Sequence, residues 1–254
     1  MKKSIFGKVQ KVGKALMLPV AVLPIAALLL RLGAGDVLDI PFVMAAGNAI
    51  FSNLAILFGI GVAIGIAKDN NGAAGLAGAV GYFTLTEGAK AINDEINMGV
   101  LAGIIAGLLA GSLYNKFHNI ELPDWLAFFG GKRFVPIITG LVSIILAYAF
   151  GYIWPPIQNG IHSIGKSMID AGAAGVFGFG FLNRLLIPAE LHHVLNSLFW
   201  FIFGEFTNTA GEVVTGDLHR FFAGDPSAGM FMTGFYPIMM FGLPAAALAM
   251  YTTA

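Results

Sequence analysis

Residues 183–197 place Asn183, Arg184, Glu190, His192, His193 and Asn196 in a run that is otherwise apolar enough to lie in a bilayer. An ionisable side chain at membrane depth costs roughly 3 kcal/mol unless it faces a partner or a wet cavity, so such a cluster reads as a site on a substrate path. Pro188 removes one backbone hydrogen bond, which predicts a helix break there with carbonyls left free for a ligand. Beyond the break, His192, Asn196 and Trp200 recur at i, i+4 and i+8 and share one helical face. Glu190, His193 and Ser197 share the neighbouring face. Polar groups beside an aromatic ring suit a sugar, whose hydroxyls take hydrogen bonds while its C–H face stacks.

Two other readings compete with the sugar site. A histidine in an apolar run is commonly a satisfied packing residue, a reading weakened here by the number of polar groups around it. A metal site is the second. Adjacent histidines point about 100° apart on a helix, and neither His-Glu-x-x-His nor a cysteine pair occurs, so no metal ligand, cofactor or catalytic residue is assigned.

Such a site needs elements that hold it in a membrane, and the composition supplies them. With 57% hydrophobic and 11% charged residues in 254, the chain reads as an all-α polytopic membrane protein. The formal net charge is zero and no basic face is apparent, which argues against a nucleic-acid partner. The absence of cysteine excludes disulfides and any cysteine-borne phosphoryl group within this polypeptide. Lys2, Lys3, Lys8, Lys11 and Lys14 precede the first apolar run with no small-residue cleavage site after it. Residues 1–14 therefore read as a cytosolic amphipathic lead-in.

In order, apolar runs fall at 15–30, broken by Pro19 and Pro24, and at 42–67, 73–86, 98–114 and 134–154, the last closed by Pro155 and Pro156. Whether the glycine-rich 73–86 crosses is decided by charge. If it does, Lys116, Lys132 and Arg133 join Lys68 and the N-terminal lysines inside, so the crossing is preferred. Residues 121–129 mix acids with Trp125 and phenylalanines and suit the interface. Residues 157–170 carry Ile157, Ile161, Ile164 and Met168 on one side, as a surface-lying helix linking two bundles would. Residues 171–187 form a further span, 204–229 a polar stretch that is either partly re-entrant or a solvated connector, and 230–250 a last run interrupted by Pro237 and Pro244. Gly103, Gly107 and Gly111 make a small-xxx-small ladder and Gly61 and Gly65 a shorter one, the pattern of a glycine-rich bundle whose helices approach closely.

Several segments match a known pattern. Ile96-Asn97-Met98-Gly99-Val100, Phe128-Phe129-Gly130-Gly131-Lys132-Arg133-Phe134-Val135-Pro136, Asn183-Arg184-Leu185-Leu186-Ile187-Pro188, Leu191-His192-His193 and Gly229-Met230-Phe231-Met232 through Phe241-Gly242-Leu243-Pro244 span most of the chain. Together they resemble the membrane IIC component of the bacterial phosphoenolpyruvate-dependent sugar phosphotransferase system, glucose superfamily, with the N-acetylglucosamine branch fitting best.

The resemblance implies a homodimeric permease in the bacterial inner membrane. Residues 1–156 would form its scaffold, 157–170 the linking helix and 171–254 the start of a transport half that moves like an elevator. The substrate would be N-acetylglucosamine or glucose, phosphorylated at the cytosolic face by a phosphocysteine of a IIB domain that is charged through IIA. A sugar-binding histidine carries over to His192 and a binding arginine to Arg184, with His193, Glu190 and Asn196 beside them. The family has glycine where this chain has Glu190. It also has a Gly-Ile-Thr-Glu loop with a sugar-binding glutamate, a motif this sequence does not contain. The chain is thus expected to correspond to the N-terminal two-thirds of a IIC permease, without the phosphoryl-carrying domains. A non-transporting remnant, a secondary sugar transporter and an intramembrane metal hydrolase are the competing functions.

Overall fold

Long apolar runs cannot leave backbone groups unpaired in hydrocarbon, so they fold as helices. The computed structural model describes residues 5–187, 192–208, 211, 213–232 and 234–253, and within them the side chains of all but 5–9, 161, 162, 165, 193, 194 and 197. Two compact units divide the chain, residues 1–158 and 159–254.

The first unit opens with α1 (Ile5–Val20) and α2 (Leu23–Gly33), separated at the break the prolines predict. The single long span expected at 42–67 is instead two helices, α3 (Pro41–Ser52) and α4 (Leu54–Ile66), bent by 57° at Asn53. Asn53 turns its side-chain amide back onto the Ala49 carbonyl. This local bond competes with the helix ladder, and no proline or glycine marks the position in the sequence. Next come α5 (Gly72–Lys90), N-capped by Asn71 through the Ala73 amide, and α6 (Gly99–Phe117). Two short 3-10 turns, Asp124–Phe129 and Gly131–Arg133, lead to α7 (Phe134–Asp170). Trp125 and Phe128 are exposed on the first of them.

Helix α7 does not stop at Pro155 and Pro156. The prolines remove two donors, but the helix is pinned on either side of them. Gly151 packs against Ile92, and Gln158 accepts from the Asn97 amide and the Trp154 indole while donating to the Glu95 carbonyl. Residues 157–170 accordingly continue α7.

Small residues set the packing of the first unit. A Cβ on Gly107 would lie 2.7 Å from Val62 Cβ and 2.8 Å from the Gly59 carbonyl oxygen, and one on Gly111 2.6 Å from Ile66 Cβ. The ladder of α6 is therefore seated on α4 of the same chain. The shorter ladder of α4, Gly61 and Gly65, faces Pro19 and Ala15 of α1. At the end of α4 the Ile66 carbonyl accepts from Lys11 Nζ (2.9 Å) and Asn115 Nδ2 (2.9 Å), which satisfies an orphan helix carbonyl with a cation. Just beyond it, the Tyr114 hydroxyl (2.8 Å) and Lys132 (3.4 Å) donate to Asp69 and hold its carboxyl below the ordinary range.

The second unit contains α8 (Ala173–Leu186), α9 (His192–Phe201), β1 (Glu205–Thr207), β2 (Val213–Thr215) and α10 (Asp217–Phe222). The short α11 (Phe235–Pro237) passes through a π-helical turn, Ile238–Gly242, into α12 (Leu243–Thr253). The described residues are all-α apart from the hairpin, in which Glu205 pairs with Thr215, Phe206 with Val214 and Thr207 with Val213. β-Branched and aromatic residues favour these short strands. Gly204 and Gly216 flank them at φ 81° and 84°, where a Cβ would also overlap Arg220 and the Phe201 backbone. An aromatic core of Phe179, Phe199, Phe203 and Phe231 holds the unit together.

Candidate functional site

The face of α8 that carries Val176, Phe179, Gly180 and Asn183 follows the helical period, and it lines a cavity of about 380 Å³ within the second unit. Arg184, Phe177, Phe181, Met230, Phe231 and Phe235 also line it. That volume lies within the range of sites for small molecules. The Arg184 guanidinium sits 5.5 Å from the centre of the Phe235 ring, a cation–π contact that orients its donors. Trp200 meets the same ring edge-on at 5.6 Å.

The sequence-predicted residues fall unevenly around this cavity. Arg184 lines it. Asn196 is buried on α9 and accepts a hydrogen bond from the Asn183 side chain, so it acts behind the wall rather than in it. His192 occupies the first turn of α9, half-buried, and is not one of the lining residues. Glu190 lies outside the described residues, as does the side chain of His193 and the predicted break at Pro188.

Three further residues contribute, of which the sequence marks only Asn183, as part of the polar run, without assigning it to the sugar. Asn183 is 1% exposed and joins α8 to α9, and its Oδ1 has no hydrogen-bond partner among the described residues. A buried acceptor left unpaired costs about 1–3 kcal/mol. The i, i+3, i+4, i+7 recurrence of 176, 179, 180 and 183 could have found it. Phe231 and Phe235 are the other two, and nothing in an apolar run distinguishes them from lipid-facing phenylalanines. Among the described residues no group of three or more His, Asp or Glu side chains is placed to hold a metal ion.

Residues 215–227 of the polar stretch are tied together by their own network. Arg220 and Asp225, both nearly buried, form an ion pair (Nε to Oδ2, 2.8 Å), and Ser227 bonds to both. Burial pushes the Asp225 carboxyl up, but the Ser227 hydroxyl and amide and the Arg220 guanidinium outweigh it and hold the group below the ordinary range. His219 faces the Thr215 carbonyl through Nδ1 (3.1 Å), and burial lowers its pKa. The folded chain holds His219 neutral while the unfolded chain takes a proton, so stability present above the ordinary histidine range is lost as pH falls from there toward the lowered folded value. The melting midpoint in detergent is expected to drop between about pH 7 and pH 5.5, more steeply in the wild type than in His219→Asn, which keeps a group facing Thr215 but does not titrate. Parallel curves for the two proteins would show that His219 does not contribute.

Helices of this length and apolarity define a polytopic membrane protein. Among the described residues Gln10–Gly33, Gly99–Phe117, Gly131–Gly160 and Phe235–Thr253 are each long and apolar enough to cross a bilayer, and α3 with α4 makes a fifth if the bent pair is one span. Helix α5 has the length, about 28 Å, but is not one of these stretches.

The chain belongs to the EIIC family of the phosphotransferase system, whose family model matches residues 13–254. It is 63% identical over 251 residues to the PTS system N-acetylglucosamine-specific EIICBA component of Klebsiella pneumoniae, and 61% identical over 251 residues to that of Escherichia coli K12. It is 57% identical over 245 residues to the N-acetylglucosamine-specific EIICB component of Bacillus subtilis. These alignments cover 99%, 99% and 96% of this chain but 39%, 39% and 53% of the relatives, so the chain spans about two-fifths to one-half of their length.

Proposed function

We propose that this chain binds N-acetylglucosamine and carries it across the bacterial plasma membrane for phosphorylation by IIB and IIA phosphotransferase components. The observation that carries the reading is the cavity in the second unit, where Arg184, the Asn183 amide and the Phe231 and Phe235 rings meet. Its chemistry suits an acetamido sugar: a guanidinium donates to hydroxyl or carbonyl oxygens, a buried amide oxygen accepts from O–H or N–H, and aromatic rings take the C–H face and the methyl group. The names of the three relatives support both the sugar and the partners.

On this reading His192, His193 and Glu190 also contribute to sugar binding, and Asn196 supports the site from behind through its hydrogen bond with Asn183. The N-terminal lysines, Lys68, Lys116, Lys132 and Arg133 lie on the cytosolic side, with α5 crossing the bilayer. Residues 1–156 serve as scaffold, 171–254 carry the sugar, and two copies form the working permease. Equilibrium binding of labelled N-acetylglucosamine to the purified protein in lipid nanodiscs tests the site. Saturable binding that unlabelled N-acetylglucosamine displaces better than glucose is expected. Equal displacement by both sugars would remove the acetamido assignment, and no saturable binding would remove the site.

A further inference from the structure

A carboxylate buried in a membrane protein, outside the cavity wall, requires an explanation. Asp217 is 2% exposed at the start of α10, and both its oxygens are used. Oδ1 accepts from the Gly229 amide (2.8 Å) and Oδ2 from the Phe231 amide (3.1 Å), so one carboxylate grips two backbone donors, 12 and 14 residues further along the chain. That backbone carries Met230 and Phe231 into the cavity wall. Phe231 is itself buried, 4.8 Å from the Phe199 ring centre and 5.6 Å from that of Phe179.

We infer that Asp217 is a positioning residue for the sugar: its carboxylate fixes the backbone of 229–231 and thereby sets where the Phe231 wall of the cavity stands. This rests on the reading of that cavity as the sugar site. A carboxylate is required because both of its oxygens accept. An asparagine would keep one acceptor and turn an N–H₂ toward a backbone N–H, which leaves one donor unpaired and two donors opposed. The intervening turn has hydrogen bonds of its own. Asp225 accepts from the Ser227 amide (2.8 Å) and hydroxyl (2.7 Å), and Arg220 closes the same turn onto Asp225 and Ser227. Loss of the Asp217 carboxylate therefore releases the wall segment and leaves the turn standing, whereas loss of Asp225 opens the turn.

The test compares Asp217→Asn, Asp217→Glu and Asp225→Asn with wild type in the whole chain in nanodiscs. It measures the N-acetylglucosamine dissociation constant by calorimetry, the melting midpoint, and hydrogen exchange at the 229 and 231 amides. Asp217→Asn is expected to bind about tenfold more weakly, with fast exchange at 229 and 231. Asp217→Glu, which keeps two acceptors, is expected to recover part of the affinity. Asp225→Asn is expected to lower the melting midpoint while its affinity stays within about twofold of wild type. Wild-type affinity in a folded Asp217→Asn protein would overturn the inference, as would an equal loss in Asp225→Asn, because the effect would then be general weakening of the loop. If Asp217→Asn does not fold, Asp217→Glu decides: weaker binding supports the positioning role and unchanged binding overturns it. Arg184→Ala, measured in parallel, separates the two levels. Wild-type affinity there would reject the cavity as the sugar site and the inference with it, whereas lost affinity there with full affinity in Asp217→Asn would reject the inference alone.

Discussion

Leucine in place of Gly107 is expected to break up the first unit. The position has no room. Even a methyl group there would press on Val62 at 2.7 Å and on the Gly59 carbonyl at 2.8 Å, and leucine adds three more carbons. Helix α4 cannot withdraw to make space, because Gly61 and Gly65 hold its other side against Pro19 and Ala15, and its Gly59 carbonyl touches Gly78 of α5. Overpacking of a filled core costs about 1–3 kcal/mol when neighbours can adjust, and the upper end or beyond is expected where they cannot. The measurement is the melting midpoint and the monodispersity of Gly107→Leu in detergent. Gly160→Leu on α7 serves as the control, since a Cβ there meets nothing within 4 Å. A clear fall for Gly107→Leu with little change for Gly160→Leu is expected, and equal behaviour would remove the ladder from the packing of the unit. The sequence alone left open whether this ladder packs within one chain or between two copies. All three glycines are met by α4 of the same chain.

Arg184→Ala is expected to weaken N-acetylglucosamine binding by roughly 5- to 150-fold, the cost of about 1–3 kcal/mol for losing a charged donor while its acceptor stays in an apolar site. The guanidinium is held over Phe235 at 5.5 Å and lines the cavity, so its donors are oriented before the ligand arrives. Arg184→Lys keeps the charge but not the planar fork or its stacking, and should recover only part of the loss. His192→Ala is expected within the same range but below Arg184→Ala, because His192 stands outside the lining and Arg184 inside it. Calorimetric titration checks all three variants. Wild-type affinity in Arg184→Ala would end its assignment to the sugar, and a larger loss for His192→Ala would move the site toward the start of α9.

How far such sites can be read from sequence depends on what distinguishes a residue from its neighbours. The helices were legible because long uncharged runs have only one way to satisfy their backbones, and the α6 ladder because glycine at every fourth position has few other uses in a helix. Arg184 stood out as a cation among apolar residues. Phe179 did not: in the run Phe177, Phe179, Phe181 all three alternate with glycine, yet Phe179 is 2% exposed while the other two are largely exposed. Steps of two residues turn about 200° around a helix, and which ring faces inward depends on partners such as Phe199 and Phe231, remote in the chain. The helix end expected at Pro155 and Pro156 failed for a similar reason. Gln158 and Gly151 bind elements some 60 residues away, and those tertiary contacts outweigh the local preference. The bend at Asn53 lacks any strong sequence marker, and the hairpin of 205–215 is too short to announce itself.

The most direct test of the proposed function is the chemical form in which sugar arrives inside the cell. Labelled N-acetylglucosamine would be supplied to bacteria that lack their own transporter for it and that express this chain with IIB and IIA components. Label recovered inside as phosphorylated N-acetylglucosamine, formed only when phosphoenolpyruvate and both partner components are present, is the expected result. Accumulation of free sugar, or no uptake above cells lacking the chain, would contradict it.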